Sequence, residues 1–264
     1  VQPHEHDEID ETNRRAFEEC HRIVTSAWTQ DLLQVDGEFW RVPVAGTPWD
    51  VESTDRYGSG VEHGEVVALG PVPKPLQDPH PPLFQPFASS ERSIRWCAQE
   101  GVTAILPPLH PVLEQRLTDL YAGESGRPPG DGLALLRDVV VAPTDEEAMA
   151  LWAEGALFGF TSWFSPFGFD RGLPHPDTGE LPDMLESSLA LVGSPDTVAR
   201  QLDRLFERQP CRWLFCWEWN GLIPHEALCR SIELFATEVI PRAGFDLEPP
   251  PPPRLRAEPE AVRP

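Results

Sequence analysis

The stretch Leu83-Phe84-Gln85-Pro86-Phe87-Ala88-Ser89-Ser90-Glu91-Arg92-Ser93-Ile94-Arg95-Trp96-Cys97-Ala98-Gln99-Glu100-Gly101 decides how this chain folds. An apolar run, Leu83 to Ala88, ends in small hydroxylated residues. A helical pattern then starts at about Ser90 and closes at Gly101, and Val102 to Leu106 is a second apolar strand, so the segment is one β/α unit. At the junction the first backbone N–H groups of the helix, the serine hydroxyls and the positive end of the helix dipole converge, which is the chemistry of a phosphate site. Ser89 or Ser90 could equally serve only as a helix cap, and the residues alone leave both readings open.

Downstream the pattern repeats. A helix from about Pro111 to Tyr121 leads through a Gly/Pro loop, Gly123 to Gly132, into the strand Leu133 to Ala142. Thr144-Asp145-Glu146-Glu147 forms a capping box before the helical Ala148 to Ala156. Residues 157 to 192 hold Gly, Pro and aromatics without a period and are expected to form a long excursion. Ser194-Pro195 opens a helix to about Arg208, the strand Arg212 to Trp217 follows, and a last helix spans about His225 to Val239. Strands alternating with helices imply right-handed crossovers and a parallel sheet, either doubly wound or barrel-like. Four strands are legible, whereas a (β/α)₈ barrel needs eight, so a barrel reading places the first half elsewhere. No GxGxxG or GxxxxGK[ST] follows any strand, which argues against a nucleotide-binding open sheet.

Upstream, Ala16, Phe17, Cys20, Val24 and Trp28 recur at helical spacing within Ile9 to Trp28 and are expected to bury one face of an amphipathic helix. Gly37 allows a turn before Phe39-Trp40, residues 44 to 65 read as an irregular insertion, and the proline-rich run Pro71 to Pro82 is an extended lead-in. From Glu248 the proline-rich tail reads as disordered. The domain expectation is therefore one partial barrel, 1–247, and a tail, 248–264.

Lys+Arg 21 against Asp+Glu 43 gives a net charge of −22, which repels nucleic acid and anionic lipid. No apolar run approaches the roughly 20 residues of a membrane helix, and a cytoplasmic location is expected. The five cysteines, Cys20, Cys97, Cys211, Cys216 and Cys229, are odd in number, form no CxxC pair and read as reduced core thiols. His4, Glu5, His6 and Asp7 have metal-ligand chemistry, but an acidic terminus supplies that by composition, and no metal site is assigned. The chain begins with Val1 rather than Met, which fits a sequence whose amino-terminal part lies elsewhere.

The run Ala88-Ser89-Ser90-Glu91-Arg92-Ser93 through Gly101 resembles the segment of bacterial luciferase-like flavin-dependent monooxygenases in which a small-Ser-x-x-Ser/Thr turn, an apolar helix and a Gly hold the flavin phosphate. Trp28, Pro73-Lys74-Pro75, Val139-Val140-Val141-Ala142-Pro143-Thr144-Asp145-Glu146-Glu147-Ala148, Val192-Gly193-Ser194-Pro195-Asp196-Thr197-Val198 and Leu234 to Pro241 follow in the order of that family, from about Ile9 to Arg242. The family's first four strands have no counterpart. The resemblance implies an α/β fold of the (β/α)₈ TIM-barrel, luciferase-like type, with only about the second half of the barrel present. It implies an oxidoreductase that uses reduced FMN, supplied by a flavin reductase, and O₂ to oxygenate a small organic substrate, as a homodimer or heterodimer. The cofactor-binding residues implied are Ala88, Ser89, Ser90 and Ser93. Relatives of the same fold use the deazaflavin F420 instead, and a third reading is a non-catalytic remnant that acts as an interaction module. Family catalytic residues lie on first-half strands, so none is carried over.

Further candidates come from position. Trp217, Trp219 and Asn220 end the last strand, where (β/α)₈ enzymes place their sites, and are candidates for lining the flavin or substrate cavity. Trp217 and Trp219 are expected to divide between the two faces of the sheet; the plainer reading is aromatic packing between barrel and helix layer. His110 ends the second strand and faces either that cavity or the surface. Trp163 to Phe169, inside the excursion, reads as a hydrophobic lid that keeps water away from an oxygen adduct.

Overall fold

The structure is a computed structural model of the 264-residue chain. It describes residues 3–159, 162, 181–218, 221–243 and 254–255. The chain divides into two compact units, residues 1–81 with 249–264, and residues 82–248.

In the first unit α1 spans Pro3–Thr29. Two short antiparallel hairpins follow, β1 (Val35–Asp36) with β2 (Arg41–Val42) and β3 (Val61–Glu62) with β4 (Glu65–Val66), separated by α2 (Glu52–Tyr57). The segment read as irregular thus contains a helix and a hairpin. The face of α1 expected to be buried is not: Phe17, Cys20 and Val24 are exposed, and the buried residue is Glu19. Its carboxylate accepts the backbone N–H groups of Glu38 (2.9 Å), Phe39 (3.2 Å) and Trp40 (3.0 Å). Burial pushes this carboxyl up, and the three backbone donors with the Arg22 charge outweigh it, so it stays below its ordinary value. Lys74 donates to the carbonyls of Ala27 and Gln30, a cation at the carboxyl end of α1. From the tail, Arg254 and Leu255 pair with Asp78 and Gln77; the other tail residues lie outside the described ones.

The second unit carries the sheet. Its strands are β5 (Phe84–Gln85), β6 (Thr103–Leu106), β7 (Leu133–Val141), β8 (Ala190–Gly193) and β9 (Trp213–Trp217), all parallel. The helices are α3 (Glu91–Glu100), α4 (Pro111–Ser125), α5 (Asp145–Phe158), α6 (Leu181–Glu186), α7 (Pro195–Arg208) and α8 (His225–Leu234), which runs on into a π-helical turn, Phe235–Val239. Caps fix several ends: Ser90 accepts from Ser93 N–H, Gly101 closes α3 at φ +69°, and Thr144 accepts from Glu147 N–H. β8 falls inside the stretch read as an excursion, so five strands stand where four were expected.

Strand order follows from the register. Ala134 pairs with both Ile105 and Trp213, and Asp138 with both Ala190 and Trp217. β9 therefore runs along one edge of β7, while β6 and β8 share the other. The step from β7 to β8 reverses the direction in which strands are added, and a right-handed crossover then requires its helix on the opposite face. That is where α5 lies: Ala148 and Trp152 pack with Val140, Ala190 and Val192. On the other face Ile94 and Cys97 of α3, Leu117 of α4 and Leu202 and Leu205 of α7 pack with Leu135 and Val139.

The sheet also curls. In a flat sheet β5 and β9, three strand spacings apart, would be about 14 Å from each other. Instead the Phe84 ring meets Trp213 and Phe215 edge-on at 5.7 Å. Register places Phe84, Ile105, Ala134, Leu136, Asp138, Trp213, Phe215 and Trp217 on this concave side. The architecture is α/β with a parallel sheet curved as in part of a (β/α)₈ barrel, in which β5, β8 and β9 each pair on one side only among the described residues.

The outer face holds a buried ion pair. Arg137 of β7 and Glu114 of α4 are both 0% exposed and 2.6 Å apart, and Arg137 also donates to the carbonyls of Ser188 and Leu136.

Candidate functional site

In a parallel sheet all carboxyl ends lie on one side, so the junction of β5 with α3 and the end of β9 share that side. Ala88 is 1% exposed and its N–H donates to the Ile105 carbonyl, which anchors the turn to β6. Phe87, just before it, has φ +52°, a strained conformation for a bulky residue, and its ring meets Trp217 at 6.4 Å. Ser90 is the N-cap of α3: its Oγ accepts from Ser93 N–H at 3.2 Å and donates to Ser93 Oγ at 3.0 Å. Ser89 and Ser93 are half-buried and Ser90 exposed. The capping role is thus realised, and it leaves hydroxyl groups of three serines around one helix start, a donor set that matches the oxygens of a phosphate. The acidic first-turn residue Glu91 is met by Arg116 of α4 and by Arg95.

A second serine-started helix differs. At α7 the Asp145 carboxylate accepts from Ser194 N–H at 2.6 Å and from Thr197 Oγ1 at 3.0 Å, so a side chain of the protein occupies that helix start. The Ser194 N–H holds Asp145 below its ordinary value against partial burial. This is the structural role of the Gly193-Ser194-Pro195 motif.

Trp217 closes β9 on the concave side with Trp213 and Phe215, because residues two apart share a face. By the same parity, strand alternation gives no reason for Trp217 and Trp219 to divide between faces. Trp219, Asn220 and the lid segment Trp163 to Phe169 lie outside the described residues. His110 is exposed and caps α4, its Nδ1 accepting from Val112 N–H at 3.3 Å. The structure gives it the helix-start role.

Two acidic residues at this end of the sheet were not singled out from the sequence. Asp138 stands on the concave side next to Trp217 in register, and its Oδ2 accepts from Trp152 Nε1 at 2.9 Å. Burial pushes its carboxyl up to about 6, against the Trp152 hydrogen bond and the Arg137 charge. Glu218, directly after β9, has its carboxyl raised by burial, and its Oε2 is sealed without a hydrogen-bond partner among the described residues. The signal for Asp138 was present: Arg137-Asp138 interrupts an otherwise apolar strand, and a charge there needs a reason.

All five cysteines are free, but Cys20, Cys216 and Cys229 are exposed, so the core placement holds only for Cys97 and in part for Cys211, whose thiol burial pushes up to about 12. The exposed three lie on outward helix or strand positions that spacing alone did not distinguish. Among the described residues no group of three or more His, Cys, Asp or Glu is arranged to hold a metal, and no helix is long and apolar enough to cross a membrane. A charged cleft of about 500 Å³ in the first unit, lined by Arg15, Glu19, Arg22 and Asp36, and one of about 530 Å³ beside Arg116 and Arg208 in the second, both exclude Ser89 to Ser93.

The chain superposes on monooxygenase RslO1 from Streptomyces bottropensis with TM-score 0.62 at 20% identity, over 91% of this chain and 66% of that one. It superposes equally, TM-score 0.62 at 21% identity, on the oxygenating constituent of 3,6-diketocamphane monooxygenase from Pseudomonas putida, a type II Baeyer-Villiger monooxygenase in complex with FMN, over 86% and 62%. The fold is luciferase-like. A third neighbour with TM-score 0.54 and 14% identity is the coenzyme F420-dependent tetrahydromethanopterin reductase of Methanopyrus kandleri, again over 86% of this chain and 62% of that one. The luciferase-like fold thus spans less than two thirds of the length of these neighbours here. No protein-family profile matches the chain, and no curated protein matches it.

Proposed function

We propose that this luciferase-like chain is part of a flavin-dependent monooxygenase that uses reduced FMN and O₂ to oxygenate a small organic substrate. The observation that carries the reading is the β5–α3 junction: Ser89, Ser90 and Ser93 surround a helix start at the carboxyl end of the sheet, beside the concave aromatic face of Trp213, Phe215 and Trp217. In this reading the serines and the first α3 N–H groups hold the phosphate, and Trp217 with Trp219 and Asn220 lines the ring or substrate cavity. His110 enters only through its place after β6. When bound, the reduced flavin supplies the electrons for O₂ activation. The chain's own residues bind and orient the cofactor and keep water from the aromatic face. A cytoplasmic setting, a flavin reductase as partner and a homodimer or heterodimer belong to the same reading.

The F420-dependent neighbour favours a second version, hydride transfer with a deazaflavin on the same phosphate site. Titrating the protein separately with FMN and F420, each oxidised and reduced, and following absorbance separates the two. The first reading expects reduced FMN to bind and to be oxidised by O₂ in step with product formation. Binding of F420 alone transfers the assignment to the second, and binding of neither leaves an interaction module.

A further inference from the structure

Asp138 is an acidic residue in the middle of a central strand, with no structural partner that requires its charge. Register sets it beside Ala190 of β8 and Trp217 of β9, so its side chain rises from the concave face next to the aromatic cluster. Trp152 of α5 holds Oδ2 in place at 2.9 Å. The other oxygen, Oδ1, has no hydrogen-bond partner among the described residues and is not sealed from solvent, the residue being half-buried. A structural carboxylate in a sheet interior normally has both oxygens satisfied. Here one is fixed and one is presented.

The neighbourhood favours the neutral acid. From α5 the neutral Trp152 indole meets it, and β8 and β9 contribute Ala190 and Trp217, which do not titrate. Arg137, the next residue along β7 with its side chain on the opposite face, is the charge that acts on it, and burial still keeps the carboxyl at about 6. Protonated, Oδ1 is a hydroxyl donor standing beside an aromatic platform.

We infer that Asp138 contacts the ligand, its Oδ1 hydroxyl donating to a carbonyl on a flat heteroaromatic ring that stacks on Trp217. The inference rests on the oxidoreductase reading above and adds to it the group that orients the ring end, as the serines orient the phosphate end. The chemistry fixes a direction: as pH rises through about 6 the donor is lost and a carboxylate faces the ring carbonyl, so ring binding weakens.

Riboflavin, which has the ring and no phosphate, and FMN are the probes, titrated by flavin fluorescence at pH 5 to 8. Wild type is expected to bind both more weakly at pH 8 than at pH 5. Asp138→Asn keeps an acceptor for Trp152 and an N–H donor for the ring, and is expected to bind at the pH 5 strength across the range. Asp138→Ala is expected to lose about tenfold at pH 5 for both ligands, the size of one hydrogen bond. Trp152→Phe keeps the carboxyl but removes a bond that favours its ionised form, so the midpoint of the pH dependence moves upward while far-ultraviolet circular dichroism reports the fold. If wild type binds flavin and Asp138→Asn shows the same pH dependence, the Asp138 assignment is overturned and the oxidoreductase reading stands. If wild type binds neither FMN nor F420, both fall.

Discussion

Removing Glu114 strands a buried guanidinium. Arg137 and Glu114 are 0% exposed, and their 2.6 Å contact is the charge-neutralising one: the other two Arg137 bonds go to the neutral carbonyls of Ser188 and Leu136. Glu114 also accepts from Leu109 N–H at 3.4 Å, and a second cation, Arg208, is 4.0 Å from its other oxygen, which has no hydrogen-bond partner among the described residues. Glu114→Ala thus leaves one full charge in the layer between α4 and β7 with only dipoles around it. Breaking such a pair from one side costs about 3–5 kcal/mol, a large part of the about 5–15 kcal/mol that holds a typical domain together. Replacing both partners, Glu114→Leu with Arg137→Met, removes the uncompensated charge along with the pair and is expected to recover most of the loss. Urea unfolding followed by tryptophan emission measures all three proteins. A Glu114→Ala chain within 1 kcal/mol of wild type would refute the reasoning, as would a double variant no better than the single one.

Three further outcomes follow from the same geometry. Asp145 is held below its ordinary value, so its contribution is full above the unfolded carboxylate value and fades as pH falls through the lower folded one; acid unfolding should begin at higher pH in Asp145→Asn. Asp138 has the opposite sign: its folded value is raised from 3.8 to about 6, the folded state holds the proton longer, and stability declines as pH rises across that window, a decline that Asp138→Asn should flatten. Gly132 has φ +92°, and a Cβ there would meet the Tyr121 hydroxyl at 2.4 Å, so Gly132→Ala should lower the melting temperature more than Gly123→Ala, where space is open.

The parts of this fold that were legible are those with a long period and a chemical punctuation mark. α3 between Ser90 and Gly101, α7 from Pro195 to Arg208 and the strands β6, β7 and β9 were expected nearly where they stand, because caps and apolar runs agree there. β8 was missed since four residues after an aperiodic stretch carry little signal, and with it the reversal of strand order at β7, which no periodicity encodes. In α1 the apolar stripe misled: the buried position went to Glu19 because three backbone N–H groups of the 38–40 turn need an acceptor. For the candidate site, the strand-to-helix pattern pointed to Ser90 and Ser93, which the structure shows joined in the α3 cap, whereas Asp138 stood in a strand read only for its hydrophobicity.

The measurement that most directly tests the central claim, that the β5–α3 serines hold a flavin phosphate, is a paired titration of wild type and Ser90→Ala/Ser93→Ala with FMN and riboflavin. Two lost hydrogen bonds to a charged group cost about 1.5–3 kcal/mol each, so FMN affinity should fall by two orders of magnitude or more while riboflavin affinity changes little. Circular dichroism controls for the lost α3 cap, worth about 1 kcal/mol. FMN bound equally well by both proteins, or FMN and riboflavin weakened in parallel, would contradict the phosphate site and the flavoenzyme reading built on it.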